Sequence, residues 1–422
     1  MGKNKIPSLN HIGPKRSGVV ANQPLPRTNT AGPQQQVTAG QLAVHAELPE
    51  PGEYLLFPTA PLVFGTGRPL DFGLGGETLD FPFPSTVAGA LRAAVQAVKG
   101  HVADPFAGPE AVHLKWLTLA RTRPTLQPLF ARPADAVYLN GQRTRLTPVP
   151  LPNDVYTDLP AGLQGLRLSQ QLGAGKPDPA PAWWSASDMQ AWLLDPDGPQ
   201  PQPYPGGERG PQQSTRMHNV MGSDGQGTME GGLFRSTGLD FGGSADHVLA
   251  VSCTAPGLHG AARRLGGEGR FVRIQEAAKP ALRDAPDAMR VKLAGAKRTR
   301  CVLVTPAVFE NNGWYPDWIA GVSTNDNLAA WQGHWPAEGT NATQQVTLIA
   351  AAITRAQTFS AWQPSAARPS PGPGRAWRVV PAGTVFWFDV PDGADALALW
   401  GRSLCTGDWQ RDGWGRCLVG VA

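Results

Sequence analysis

The sequence is short of cysteine, of charge and of long apolar runs. Its four cysteines, Cys253, Cys301, Cys405 and Cys417, are scattered through 422 residues. None forms a CxxC or a Cys/His spacing of the zinc type, so neither a disulfide framework nor a zinc site is expected. Reduced thiols and a cytoplasmic location are the default. No apolar run approaches the ~18 residues of a membrane-spanning helix, and the N-terminus has no apolar stretch of the secretory kind, so no membrane contact is expected. Charged residues make up 17% of the chain, below the roughly one quarter usual in globular proteins. There is no nucleophile elbow, P-loop or HExxH. The residues therefore call for no catalytic centre, no metal and no cofactor.

Glycine and proline are abundant, with 50 and 42 copies. Both weaken helix interiors, which excludes a helical bundle. Their share still falls below the roughly 25–30% at which unpatterned chains are usually disordered. A globular protein with long loops is expected, in two or three domains, each able to bury a core.

Charge is unevenly placed. The formal net charge is +4, yet residues 1–46 hold five basic residues and no acid. Residues 263–300 carry eleven Lys or Arg against four acids. Such a segment attracts polyanions; a solvated face explains it as well.

Residues 1–40 are aperiodic and basic, and read as a disordered tail. Residues 41–72 read as strand, turn, strand. From Ser85 to Val98 the spacing of Val87, Leu91, Val95 and Val98 predicts a helix, with Pro84-Ser85 as its start. Residues 113–138 read as short strands with proline breaks. Residues 169–213 are low-complexity around one amphipathic stretch, Ser187–Leu194. Strands are expected at 231–241, 247–254, 270–276, 300–309, 384–390 and 416–422, and residues 343–356 fit helix or strand. The fold class is α+β.

Three groups of residues invite a functional reading. The first is Gly413, Gly415 and Gly420 with Arg416, where backbone amides can approach a phosphate; a plain turn into a final strand is the competing explanation. The second is the turn Gly266-Gly267-Glu268-Gly269-Arg270 with Arg273, together with Lys297 and Arg298 at the start of the next strand; solubilising turns and polar strand ends explain these equally. The third is aromatic: among 14 tryptophans, Trp183-Trp184 and Trp409/Trp414 can stack bases or sugars or pack a core. His45 and His218 lie near loops and can serve as general bases or be ordinary structural histidines.

The run Pro61-Leu-Val-Phe-Gly-Thr-Gly-Arg68-Pro69, followed by Phe81-Pro-Phe-Pro-Ser-Thr-Val-Ala-Gly-Ala-Leu-Arg92, resembles the opening signature of a CRISPR RAMP family. That family is the third, crRNA 5′-tag-binding subunit of the type III-B (Cmr) effector complex. Further matches follow in family order: Phe130-Ala-Arg132-Pro-Ala-Asp135, Glu230-Gly-Gly-Leu-Phe234 with Leu239-Asp240-Phe241, and Leu265-Gly-Gly-Glu-Gly-Arg270. Then come Val304-Thr-Pro306 with Phe309, Gly313-Trp-Tyr-Pro316, Trp377-Arg378-Val-Val-Pro381-Ala-Gly383, and the terminal Gly413-Trp-Gly415 with Gly420. The likeness spans about residues 50–422. The basic tail, the Pro-rich insertion at 169–213 and the Gly-Thr-Gly before Arg68 depart from the pattern.

The resemblance implies two ferredoxin-like (RRM-like) domains with long loops and a β-hairpin insertion. Their expected extents are 41–240 and 241–422, after the 1–40 tail, with the glycine-rich loop at 413–420. It implies a non-catalytic subunit that binds the crRNA 5′ tag and docks the large polymerase/cyclase-like subunit onto the backbone RAMP subunits, meeting target RNA only indirectly. Arg68, Arg92, Arg270, Arg273, Lys297, Arg298 and Arg416 are the candidate phosphate contacts, and Gly413, Gly415 and Gly420 the points of backbone approach. Arg92 has the weakest claim, since a helix arginine can pair with a carboxylate instead. Two alternatives compete. One is a RAMP endoribonuclease using His45 or His218 as general base. The other is a carbohydrate-binding module, which the basic segment argues against.

Overall fold

A computed structural model describes residues 52–66, 78–99, 111–152, 155–169, 175–195, 202–203, 208–221, 227–242, 246–310, 313–324, 327–335, 345–363, 372–391 and 395–422. The expected tail, the QLAVHAEL segment with His45, and Arg68 lie outside these residues. The described chain is strand-rich, with few helices and several antiparallel sheets.

The first sheet grows from strands of alternating character. In Gly52–Pro58, Tyr54 and Leu56 are buried while Leu55 and Phe57 are half-exposed on the opposite face, the period-2 pattern of a strand with one covered side. The sheet has seven antiparallel strands, in the order 262–264, 271–276, 52–58, 247–253, 114–121, 127–131 and 183–185. The middle four lie fourth, first, third, second in chain order. Strands 247–253 and 271–276 flank 52–58 directly. The expected division near residue 240 therefore falls inside one sheet, and the break between sheets moves to 277–297, ahead of the strand Arg298–Leu303.

The helix Pro84–Lys99 covers the inner face with Val87, Ala88, Leu91, Ala94 and Val95. Its buried stripe ends there, so Val98, expected inside, is 51% exposed.

The second sheet has six antiparallel strands, in the order 319–324, 327–334, 345–352, 385–389, 298–303 and 417–421. Its last four repeat the same interleaving, read from the other edge. Residues 345–352 are strand, not helix. They pair on both sides, and ladder pairing overrides the helix preference of Ala350–Ala352.

The sheets share a core. Trp116 and Phe130 come from the first sheet, yet they pack in one cluster with Trp387, Phe386 and Trp414 of the second part. Trp414 Nε1 donates to Ser85 Oγ at 2.6 Å, at the start of the 84–99 helix. Each large apolar side chain so buried contributes ~1.5–3 kcal/mol.

From the long segment between strands 114–121 and 247–253 rises a hairpin, Gln212–Met221 paired with Thr228–Asp240. Its outer part is exposed, while its base is tied down where Leu239 and Leu62 exchange backbone hydrogen bonds of 2.7 and 2.9 Å.

Candidate nucleic-acid interface

Three stretches distant in sequence meet at the hairpin base. One is the turn 265–270, joining strands 262–264 and 271–276. Leu265 anchors it in the core at 1% exposure, and Leu265 N–H donates to Arg270 O at 2.9 Å. Gly267 N–H donates to Val63 O at 2.7 Å, tying the turn to the second stretch, 62–66. Gly266 requires its glycine: φ is +77°, and a Cβ there would sit 2.4 Å from Val63 O. In turn, Phe64 N–H donates to Thr78 Oγ1 at 3.0 Å.

The third stretch is the hairpin itself. Ser236 Oγ donates to the Glu268 carboxylate, which also takes Arg270 Nη2 at 2.8 Å. His218 Nε2 lies 4.0 Å from Glu268 Oε1, and its ring stacks on Phe234, centroids 5.3 Å apart at 17°. Partial burial pushes the Glu268 carboxyl up; the hydrogen bonds from Ser236 and Arg270 and the nearby His218 outweigh it, so its pKa lies below the ordinary 4.5. On the hairpin, Arg216 stands exposed on the face that carries Ser236 and His218, and Arg235 is exposed on the opposite face. A positive surface on a backbone fixed by glycine suits phosphate contact.

The expected site residues divide. Arg270 and Arg273 are at or beside this place: Arg270 is half-buried on Glu268, and Arg273 is exposed on the neighbouring strand. Lys297 is exposed but far along the chain, at the entry to the second sheet. Arg298, Arg92 and Arg416 are engaged within the protein. Arg298 grips its cross-strand partner Asp389 with both Nε (2.5 Å) and Nη2 (3.0 Å), so its fork is occupied. Arg92 is buried, with Nη2 donating to Asp412 Oδ1 at 2.5 Å and to Val112 O at 3.3 Å. Arg416 is 2% exposed, and its guanidinium donates to Gln410 O at 3.1 Å and Gly401 O at 3.3 Å. A guanidinium enclosed by carbonyls offers no face to a phosphate.

The terminal glycines are packing devices as well. A Cβ at Gly413 would stand 2.9 Å from Leu114 O, at Gly415 2.6 Å from Cys405 Sγ, and at Gly420 2.9 Å from Leu193 O. Gly415 N–H donates inward to Pro306 O at 2.8 Å. Trp184 and Trp414 are buried core, and Trp183 is 9% exposed, so that pair and Trp414 do not stack bases.

Sequence reasoning missed a buried ionic cluster. Asp135 accepts from Arg300 Nη1 at 2.7 Å and from Trp192 Nε1 at 2.9 Å, with Arg145 Nε at 3.8 Å. Arg145 and Arg300 also donate to Trp192 O, satisfying the carbonyl end of the helix Ala186–Leu194. The signal was present: an arginine inside Thr299-Arg300-Cys301-Val302-Leu303 needs a partner if that strand is central. Among the described residues, no three His, Cys, Asp or Glu converge as metal ligands, and no helix is long and apolar enough to cross a membrane.

The family model described as CRISPR-associated protein (Cas_Cmr3) matches residues 54–422. No curated protein matches the chain. Among solved structures, a chain of the type III-B Cmr-β complex bound to cognate target RNA and AMPPnP is 12% identical, with TM-score 0.42 over 79% of this chain and 86% of that one. A second, from the complex bound to cognate target RNA, is 13% identical, with TM-score 0.36 over the same shares.

Proposed function

The chain belongs to the CRISPR-associated Cas_Cmr3 family, and we propose that it serves the type III-B Cmr complex as a non-catalytic subunit that holds the 5′ tag of crRNA. In this reading it also docks the large polymerase/cyclase-like subunit onto the backbone RAMP subunits and meets target RNA only through the guide. The observation that carries the reading is convergence. Three family motifs far apart in sequence, 61–66, 230–241 and 265–270, meet at one basic, glycine-shaped surface.

Two ferredoxin-like units are part of this proposal. The fourth-first-third-second strand order, found once in 52–276 and again in 298–421, supports it. Among the described residues neither unit shows the full pair of crossover helices: the 84–99 helix serves the first, and short helical turns at 396–399 and 407–411 precede the last strand of the second. His218 supports binding better than cleavage, because its ring stacks on Phe234 and its Nε2 faces Glu268.

The test is binding of the full chain to crRNA with its repeat-derived 5′ tag against the same RNA without it. Tighter binding of the tagged RNA is expected, and equal affinity would overturn the tag reading. His218→Ala should leave RNA uncut and bound; loss of a metal-independent cleavage in that variant would replace this reading with the nuclease one.

A further inference from the structure

On the outer face of the first sheet, beside the glycine turn, Arg273 lies in one strip with three side chains not yet considered, Phe57, Arg264 and Phe271. Cross-strand pairing sets Arg264 opposite Phe271 and Phe57 opposite Arg273. Alternation along the strands places all four on one face, while Val272, Ile274 and Leu56 point into the core. The Arg264 guanidinium lies 5.8 Å from the Phe271 ring centroid, and that of Arg273 lies 5.6 Å from Phe57. Phe271 is 42% exposed. Phe57 rests on a low floor of Val248, Ala250 and Ala120. Small residues thus floor Phe57, and each guanidinium lies over the ring of its cross-strand neighbour, forming a mixed aromatic and cationic strip.

We propose that this strip binds unpaired nucleotides of single-stranded RNA, with bases stacked on Phe271 and Phe57 and phosphates held by Arg264 and Arg273. It rests on the RNA-binding reading above and extends the interface from the 265–270 turn onto the sheet. Charge selects this occupant. Among the described residues neither guanidinium is paired with a carboxylate, unlike Arg270 and Arg298. Both belong to, or border, the most basic stretch of the chain. An exposed phenylalanine near a sheet edge is a liability unless something covers it, and every base has a face that stacks on an aromatic ring.

The experiment titrates the full chain against a labelled single-stranded oligoribonucleotide over a salt series. Phe271→Leu and Phe57→Leu keep an apolar side chain but remove the flat ring. Phe271 is exposed, so its variant tests the idea even if Phe57→Leu folds poorly. Each should weaken binding about tenfold, with the dependence on salt unchanged. Arg273→Gln should instead flatten that dependence by about 0.7 log unit per log unit of salt. Wild-type affinity in Phe271→Leu overturns the stacking inference while leaving the RNA reading standing. Absence of RNA binding by the wild type overturns both. Wild-type RNA affinity in Phe271→Leu combined with loss of a co-purifying subunit assigns the strip to protein instead.

Discussion

Asp135 is fully buried and holds two arginines, Arg145 and Arg300, that are themselves 2% and 0% exposed. Burial, and then the Arg300 charge, pull Arg145 down to about 9, against which Asp135 acts. Removing the carboxylate leaves buried charge uncompensated, so Asp135→Ala should cost ~3–5 kcal/mol of folding free energy by denaturant titration. A loss under about 1 kcal/mol would contradict the network. Gly413 and Gly266 separate by the same logic. Gly413→Ala meets Leu114 O in the core, at φ +85°, and should lower stability without a specific effect on RNA once refolded. Gly266→Ala disrupts the surface turn and should lower RNA affinity more than stability. The thiols follow from burial, which pushes Cys253 and Cys405 up to about 12; they should resist alkylation at neutral pH until the protein unfolds. At this scale the sequence was deceptive. Residue type identified arginines and glycines worth attention, but whether Arg416 faces water or Gln410 O depends on tertiary packing that spacing does not encode.

The turn 265–270 and the hairpin 212–240 act as a pair through Glu268. Its carboxyl is held below the ordinary 4.5, so its contribution is present above that value and is lost as pH falls through the lower, folded one. The unfolding midpoint of wild type should exceed that of Glu268→Gln from pH 7 to 5, and the gap should close below 4.5. A gap that persists unchanged to pH 3 would contradict this anchoring. Elements with strong period were legible. The helix expected at Ser85–Val98 is Pro84–Lys99, and the strand expected at 247–254 is His247–Cys253. Within the low-complexity stretch, the amphipathic residues Ser187–Leu194 form the helix Ala186–Leu194, where Ser185 Oγ accepts from Asp188 N–H. The Phe57/Arg273 pair was not readable, because cross-strand register joins residues more than two hundred positions apart.

Across the whole chain, the interleaved strand order of the first sheet carries that sheet past residue 240. Strands 247–276 complete the first sheet after an insertion that carries the hairpin, so chain order and spatial order part company at 240. Motif order pointed to the family; pairing fixes what those motifs build. If the basic surface grips RNA mainly through phosphates, affinity should fall by roughly 0.7 log unit per contact per log unit of salt. A subunit that carries the crRNA tag inside an effector complex should bring both RNA and partner proteins with it when the affinity-labelled chain is isolated from its host. Guide RNAs sharing one repeat-derived 5′ end, recovered with a large polymerase-like subunit, are the expected outcome. Recovery of the protein without RNA would contradict it.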